Sequence, residues 1–362
     1  FPKYFRKEHI NYYIEQSPDE LALINYTSGT TGFSKGVMLP YRALWSNAYF
    51  AQSVLGNEVR SGDRIISILP MAHMYGMAFE FIFEFLTGCH IYFLTRIPSP
   101  AIIAQAFSEI KPRVIISVPL IIEKIIRKRV FPKLQNSGIR MLMHMPVIAK
   151  KLGDKICQQV SDAFGGQFYE VIIGGAAFNQ EVEKFLHRIR FRYTVGYGAT
   201  ECAPIICYAD YHTYVPGSCG RPVVNMQVRI DSPNPEHIPG EILAKGMNVM
   251  LGYYKNEEAT RQALDTEGWY HTGDLGTMDA QGNVFIKGRS KNMLLGASGQ
   301  NIYPEEIEDK LNSMELVNEC IVIQEGDKLI GLVYPDYDEA KSLGLSNSDI
   351  DKIMEQNRVE LN

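Results

Sequence analysis

Short apolar runs rich in β-branched residues recur along the chain, separated by longer stretches with helical spacing. LALI at 21–24, RIISIL at 64–69, HIYFL at 90–94, RVIISV at 113–118 and YEVIIG at 169–174 are the clearest. Strands buried on both faces read as continuous runs of this kind, so the rhythm predicts a mostly parallel sheet covered by helices, one of them from Glu181 to Arg190. In PLIIEKIIRKRVFPK, residues Ile121, Ile122, Ile125 and Ile126 share one helical face and precede Arg127, Lys128 and Arg129, which predicts a core-facing helix with a solvated basic end. FEFIFEFL sets Glu80 and Glu84 one turn apart and reads as a buried helix with one polar edge.

From about Val223 the texture changes. NMQVRIDSPN, GEILAKG and GNVFIKG are shorter strands cornered by Gly and Asn, the mark of a smaller β-rich unit. The expected fold class is therefore α/β: a large mixed α/β N-terminal domain with a β-rich subdomain, plus a small α+β C-terminal domain. The expected boundaries are 1–288 and 289–362, and 362 residues exceed what one core usually serves.

Composition narrows the function classes. Basic residues number 36 against 41 acidic, a formal charge of −5, which argues against a nucleic-acid binder relying on global charge. The start FPKYFRKEHI lacks the apolar core of a signal peptide, and no run of about 18 apolar residues occurs, so a cytoplasmic protein is expected. Its basic helix end offers a peripheral membrane contact as the alternative. The six cysteines form no CxxC pair and are expected as reduced thiols. Cys202, Cys207, His212 and Cys219 fall close together, but their spacing matches no common zinc pattern.

The candidate chemistry begins at YTSGTTGFSKG, residues 26–36. Glycines and small hydroxyl residues bend tightly and present N–H and O–H donors without obstruction, which suits wrapping phosphate oxygens, and Lys35 adds a point charge. The Walker pattern fails because Gly29 and Gly32 are too close and Lys35 precedes Gly36. The dinucleotide pattern also fails, since Gly196 and Gly198 are followed by Glu201 where a third glycine belongs. A carboxylate there suits magnesium instead. VGYGATE thus sets a glycine-flanked ring to lie against a base, with Thr200 and Glu201 to manage metal and phosphates.

YTSGTTGFSKG, PMAHMYG at 70–76, IGGAAFN at 173–179, VGYGATE at 195–201, GWYHTGDLG at 268–276 and KGRSKNMLLGASGQNIYPEEIE at 287–308 resemble, in order, the core motifs of the adenylate-forming superfamily. PMAHMYG, the GRSK opening and GASGQNIYPEEIE are most similar to those of AMP-forming long-chain fatty-acid–CoA ligases. The resemblance implies that ATP, magnesium and a long-chain fatty acid give an acyl-adenylate and pyrophosphate, and that coenzyme A then displaces AMP. It assigns Thr27, Ser28, Gly29, Thr30 and Thr31 with Lys35 to the β- and γ-phosphates, Thr200 to the α-phosphate and Glu201 to magnesium. Charge accumulating on the leaving pyrophosphate needs such donors and cations.

The same resemblance implies an adenine wall of Gly174, Gly175 and Ala176, with Tyr197 and Gly198 against the ring. Asp274 and Arg289 would grip the ribose, and His73 would position the acyl carboxylate. Lys291 would be the hinge of the small domain and Gly299 the border of the coenzyme A tunnel. His271 alternates away from Asp274 on a strand and reads as structural.

The resemblance also implies a leading region and a C-terminal lysine that are not in this chain, so a chain truncated at both ends is expected. Two other readings stay open at this point: a ligase for aryl or short-chain acids, and a non-catalytic adenylate-binding module.

Overall fold

The computed structural model describes residues 17–27, 34–94, 100–131, 146–295, 301–312, 314–326 and 328–361. Ser28, Gly29, Thr30, Thr31 and Gly299 lie outside the described residues, as do the side chains of Lys128 and Arg129. The fold is mixed α/β. Among the described residues no helix is long and apolar enough to cross a membrane.

Strands β1 (Leu21–Thr27) and β2 (Lys35–Pro40) flank the phosphate-loop motif and pair antiparallel, with Thr27 opposite Lys35. This corrects the placing of LALI in the parallel sheet. A strand that returns after only seven intervening residues can pair antiparallel with its predecessor, whereas a parallel return needs a crossover of a dozen residues or more. The other four runs behave as expected. β3 (Arg64–Ser67) lies parallel to β4 (His90–Phe93), while β5 (Ile115–Ser117), β6 (Val171–Ile173) and β7 (Tyr193–Val195) form a second parallel ladder. The ladders meet where Arg113 N–H donates to the Arg64 carbonyl at 2.8 Å.

Alternation along β6 separates two cores. Val171 and Ile173 pack beneath helices Pro100–Ile110, Pro119–Ile125 and Gln180–Arg188, together with Phe107, Ile122 and Leu186. Ile172 faces the opposite way, toward helix Tyr41–Leu55 and the helical segment 74–87. The basic end of PLIIEKIIRKRVFPK is less solvated than expected, because Arg127 turns toward Glu181 at 4.0 Å.

Segment 74–87 runs as Met74–Gly76, a π-helical Met77–Ile82, and Phe83–Thr87. Its polar edge points inward. Glu80 and Glu84 are fully buried, whereas Phe85 and Leu86 are about two-thirds exposed. Glu80 accepts from the Ser67 hydroxyl and from the N–H groups of Ile68 and Leu69 at 3.0–3.2 Å. Neither carboxyl oxygen of Glu84 has a well-formed hydrogen bond; the weakly donating Cys89 thiol faces it.

Downstream, β8 (Tyr197–Gly198), β9 (Ile205–Tyr208) and β10 (Arg221–Pro222) form a small antiparallel sheet. The β-rich unit follows as β11 (Met226–Asp231), β12 (Gly240–Gly246), β13 (Gly252–Tyr253), β14 (Tyr270–Met278) and β15 (Val284–Arg289). Four of these pair antiparallel in the order β11-β12-β14-β15, as the turn-bounded runs predicted, and β13 leaves to pair with β2. That excursion ties the β1–β2 hairpin to the β-rich unit.

Beyond Arg289 come β16 (Leu294–Leu295) and β17 (Asn301–Ile302), helix Pro304–Asn312, the hairpin of β18 (Val317–Glu325) and β19 (Lys328–Pro335), and helices Tyr337–Ser342 and Asn347–Leu361. A separate small cluster of Leu316, Ala340 and Ile350 packs this part.

Candidate active site

The carboxyl ends of β5, β6 and β7 converge on a crevice, the position where open α/β sheets bind ligands. Gly174 and Gly196 extend the ladder by donating to Ser117 and Ile173 at 3.1 and 2.9 Å. Glycine at 174 has a steric cause, since a Cβ there would meet the Tyr75 ring at 3.2–3.3 Å. Gly175 turns the chain with φ +91°, a region costly for a side chain. Gly174 is buried, while Gly175, Ala176 and Gly198 face solvent.

Tyr197 stands at the centre of the crevice. Its ring is buried, and its hydroxyl donates to Asp274 Oδ2 at 2.6 Å. Arg289 Nε lies 3.1 Å from Asp274 Oδ1 across the β14–β15 pair. Burial pushes the Asp274 carboxyl up, and the Tyr197 hydroxyl and Arg289 pull it back down. A carboxylate offers about four acceptor sites, so one on each oxygen remains for a ligand.

A second polar group lies at the β2–β13 junction. Tyr253, opposite Val37, donates its hydroxyl to Glu201 Oε1 at 2.8 Å and receives the Lys35 ammonium over its ring at 4.8 Å. Burial and the neighbouring Glu201 raise the Tyr253 hydroxyl well above its usual range, so it stays a donor. The Thr200–Cys202 turn that carries Glu201 is fixed from two sides. Met250 N–H donates to the Glu201 carbonyl at 2.8 Å, and buried Asn47 donates to the Cys202 carbonyl at 3.2 Å while accepting from Ile205 N–H at 3.0 Å. Magnesium usually takes one or two carboxylates and completes its shell with phosphate and water, so a single Glu201 fits it.

Beneath the crevice runs an apolar cleft whose empty space, open solvent at its mouth included, is about 640 Å³. Gly174, Gly175 and Tyr197 edge the mouth, and Phe50, Phe79 and Ile172 are among its walls. The Tyr75 hydroxyl is already spent on the Ile172 carbonyl at 3.1 Å. No charged side chain lines the cleft among the described residues.

The structure thus brings together Lys35 and Glu201, and separately Tyr197, Asp274 and Arg289, with Gly174, Gly175 and Gly198 at the shared rim. Thr27 ends β1 opposite Lys35, and Thr200 adjoins Glu201. His73 is exposed at the N-cap of Met74–Gly76 and is not among the residues lining the cleft, which receives Tyr75 instead. Asn25 on β1 donates to the Ala72 carbonyl at 2.8 Å, holding the His73 turn beside the β1–β2 hairpin. Lys291 sits in the turn after β15, where Asn292 and Met293 N–H groups bond back to Arg289.

His271 bonds Glu241 at 2.9 Å, away from Asp274. Cys202, Cys207 and Cys219 are buried in the apolar core, whereas His212 is exposed and paired with Asp210.

Sequence reading missed Tyr253 and Asn47. The available signal for Tyr253 was GYY at 252–254, a glycine-flanked aromatic pair before a helix start; for Asn47 it was a lone amide inside an otherwise apolar helical face.

The profile of the AMP-binding enzyme family matches residues 5–254. Long-chain-fatty-acid–CoA ligase 1 of Saccharomyces cerevisiae is 29% identical over 370 residues, covering 94% of this chain and 53% of the yeast protein. Long-chain-fatty-acid–CoA ligase 5 of Mus musculus is 31% identical, with 93% and 52% covered. The 2-succinylbenzoate–CoA ligase of Bacillus cytotoxicus is 30% identical, with 88% and 60% covered. The chain therefore spans about half the length of the long-chain relatives. Among solved structures, ATP-bound MatB from Rhodopseudomonas palustris superposes with a TM-score of 0.70 at 26% identity, over 89% of this chain and 59% of that one. With its profile match covering more than half of the residues, the chain belongs to the AMP-binding enzyme family.

Proposed function

We propose that this protein is an AMP-forming acid–CoA ligase that activates a fatty acid, first as the acyl-adenylate and then as the thioester of coenzyme A. One observation carries the reading: Tyr197 has its ring at the mouth of an apolar cleft and its hydroxyl on Asp274, so a nucleotide held by Asp274 and Arg289 sits where an acyl tail can descend. Asp274 accepts from the ribose hydroxyls while Arg289 orients it. Lys35 meets the phosphates from the hairpin side, Thr200 meets the α-phosphate, and Glu201, oriented by Tyr253, holds the magnesium that neutralises phosphate charge when bound. Residues 1–288 form the adenylating core. Residues 289–362 form the small domain that swings about Lys291 to admit coenzyme A beside Gly299.

A second carboxylate, as in a succinylbenzoate, would find no cationic partner in the cleft among the described residues. The long-chain ligases among the relatives support the fatty-acid reading.

The test is calorimetric. A non-hydrolysable octanoyl-adenylate mimic is expected to bind at least about tenfold more tightly than AMP, because a buried tail adds up to about 0.8 kcal/mol per methylene. Equal affinity for the two would remove the acyl chain from the reading.

A further inference from the structure

Tyr253 touches two opposite charges that do not touch each other. β13 pairs with β2 so that Tyr253 lies opposite Val37, and Lys35 stands two residues before Val37 on the same face of β2. A diagonal neighbour across an antiparallel pair stays within reach of a long side chain, and the Lys35 ammonium accordingly crosses to 4.8 Å from the centre of the Tyr253 ring. The second charge comes from the Thr200–Cys202 turn. The Tyr253 hydroxyl donates to Glu201 Oε1 at 2.8 Å, while Met250, three residues earlier, donates its N–H to the Glu201 carbonyl at 2.8 Å. Among the described residues, Glu201 Oε2 accepts no hydrogen bond and no ion pair joins Lys35 to Glu201.

A phenol can serve both partners at once. The face of its ring attracts a cation, and the O–H at its edge donates to an anion. A direct pair of Lys35 with Glu201 would instead occupy each charge with the other, and an arriving ligand would have to separate them.

Tyr253 is itself held firmly. It is buried, and its N–H donates to Thr260 Oγ1 at 2.8 Å in helix Glu257–Ala263, whose N-cap Asn256 takes the Thr260 hydroxyl on its carbonyl at 2.8 Å. A Cβ on Gly252 would meet Thr260 Cγ2 at 2.7 Å, so glycine lets β13 approach that helix.

We propose that Tyr253 is a positioning residue that keeps Lys35 and Glu201 apart, its ring setting the charge that meets phosphate and its hydroxyl the one that meets magnesium. The proposal rests on the ligase reading, which gives Lys35 and Glu201 those roles, and adds what keeps them available.

The experiment is a calorimetric titration of the whole chain with α,β-methylene ATP, in magnesium and in chelator, with AMP as the control that lacks the β- and γ-phosphates. The quantity read is the magnesium gain, the affinity in magnesium divided by that in chelator. Tyr253→Phe keeps the ring and loses the hydroxyl, so the gain is expected to fall about tenfold, as when a metal ligand loses its outer support, with affinity in chelator unchanged. Tyr253→Leu also loses the ring, and affinity in chelator is expected to fall about threefold as well. AMP should bind both variants as it binds the unmodified protein.

An unchanged gain in Tyr253→Phe overturns the proposal, as does the absence of any gain in the unmodified protein. AMP affinity that falls as far as the gain does would make Tyr253 a packing residue only. Unchanged affinity in chelator for Tyr253→Leu overturns the role of the ring; if that variant does not fold, the more adaptable Tyr253→Met takes its place. Failure of both AMP and the analogue to bind the unmodified protein withdraws the ligase reading, and the proposal with it.

Discussion

The crevice and segment 74–87 both bury carboxyl groups, and they treat them differently. In the crevice, Asp274 is nearly buried but takes the Tyr197 hydroxyl on one oxygen and Arg289 on the other. In segment 74–87, Glu84 is fully buried with no well-formed hydrogen bond, one turn from a Glu80 that accepts three. An unpartnered buried polar group loses its hydration without replacement, whereas a partnered one largely recovers it. Asp274 is oriented with acceptor capacity to spare, while Glu84 is tolerated at the expense of stability.

The sharpest way to break the contrast is to remove Asp274. Asp274→Ala deletes the proposed ribose acceptor and leaves the Tyr197 hydroxyl buried alone, so AMP affinity should fall by about 3 kcal/mol, or roughly a hundredfold. Calorimetry with AMP reads this directly, and unchanged affinity would take Asp274 out of the nucleotide site.

Next come paired substitutions in segment 74–87. Glu80→Leu strands three donors and should destabilise by about 2–3 kcal/mol, while Glu84→Leu removes an unpaired group and should stabilise by about 1–2 kcal/mol. Urea unfolding of both variants gives the two signs, and equal signs would show that the two carboxyls are not different in kind.

A smaller effect is read by pH. Burial raises the carboxyls of Glu80 and Glu84 to about 7 from an ordinary 4.5, so the folded state keeps protons that the unfolded chain has already lost. Their contribution is complete below about 4.5 and is lost as pH rises through about 7. Between pH 5 and 7.5, Tm should fall with rising pH, and more gently in Glu84→Leu. A slope untouched by that substitution would place the dependence on other groups.

The contrast also shows what could be read from sequence. Ordered motifs named residues that the fold gathers into two groups, Lys35 with Glu201 and Tyr197 with Asp274 and Arg289, because most of them flank or end strands whose runs are legible on their own. The inversion of segment 74–87 was not legible. Glutamates at i and i+4 mark one face of a helix and do not say whether that face looks inward. Here the inner side offers Ser67 and the N–H groups at the end of β3, which satisfy Glu80 and draw the polar edge in. Tyr253 escaped for another reason: its partner Glu201 is 52 residues away, and only the pairing of β13 with β2 brings Lys35 to the same ring.

Helix Pro304–Asn312 reaches residues that precede it in the chain with three acidic side chains. Glu305 takes the Asn292 amide at 2.8 Å, Glu306 faces Lys287 at 3.4 Å, and Asp309 accepts from the Asn179 amide at 3.0 Å. If the small domain moves as proposed, Glu306–Lys287 and Asp309–Asn179 are contacts that water can take over as they part, and dissolved salt weakens the charged one. Any such parting should therefore depend on ionic strength.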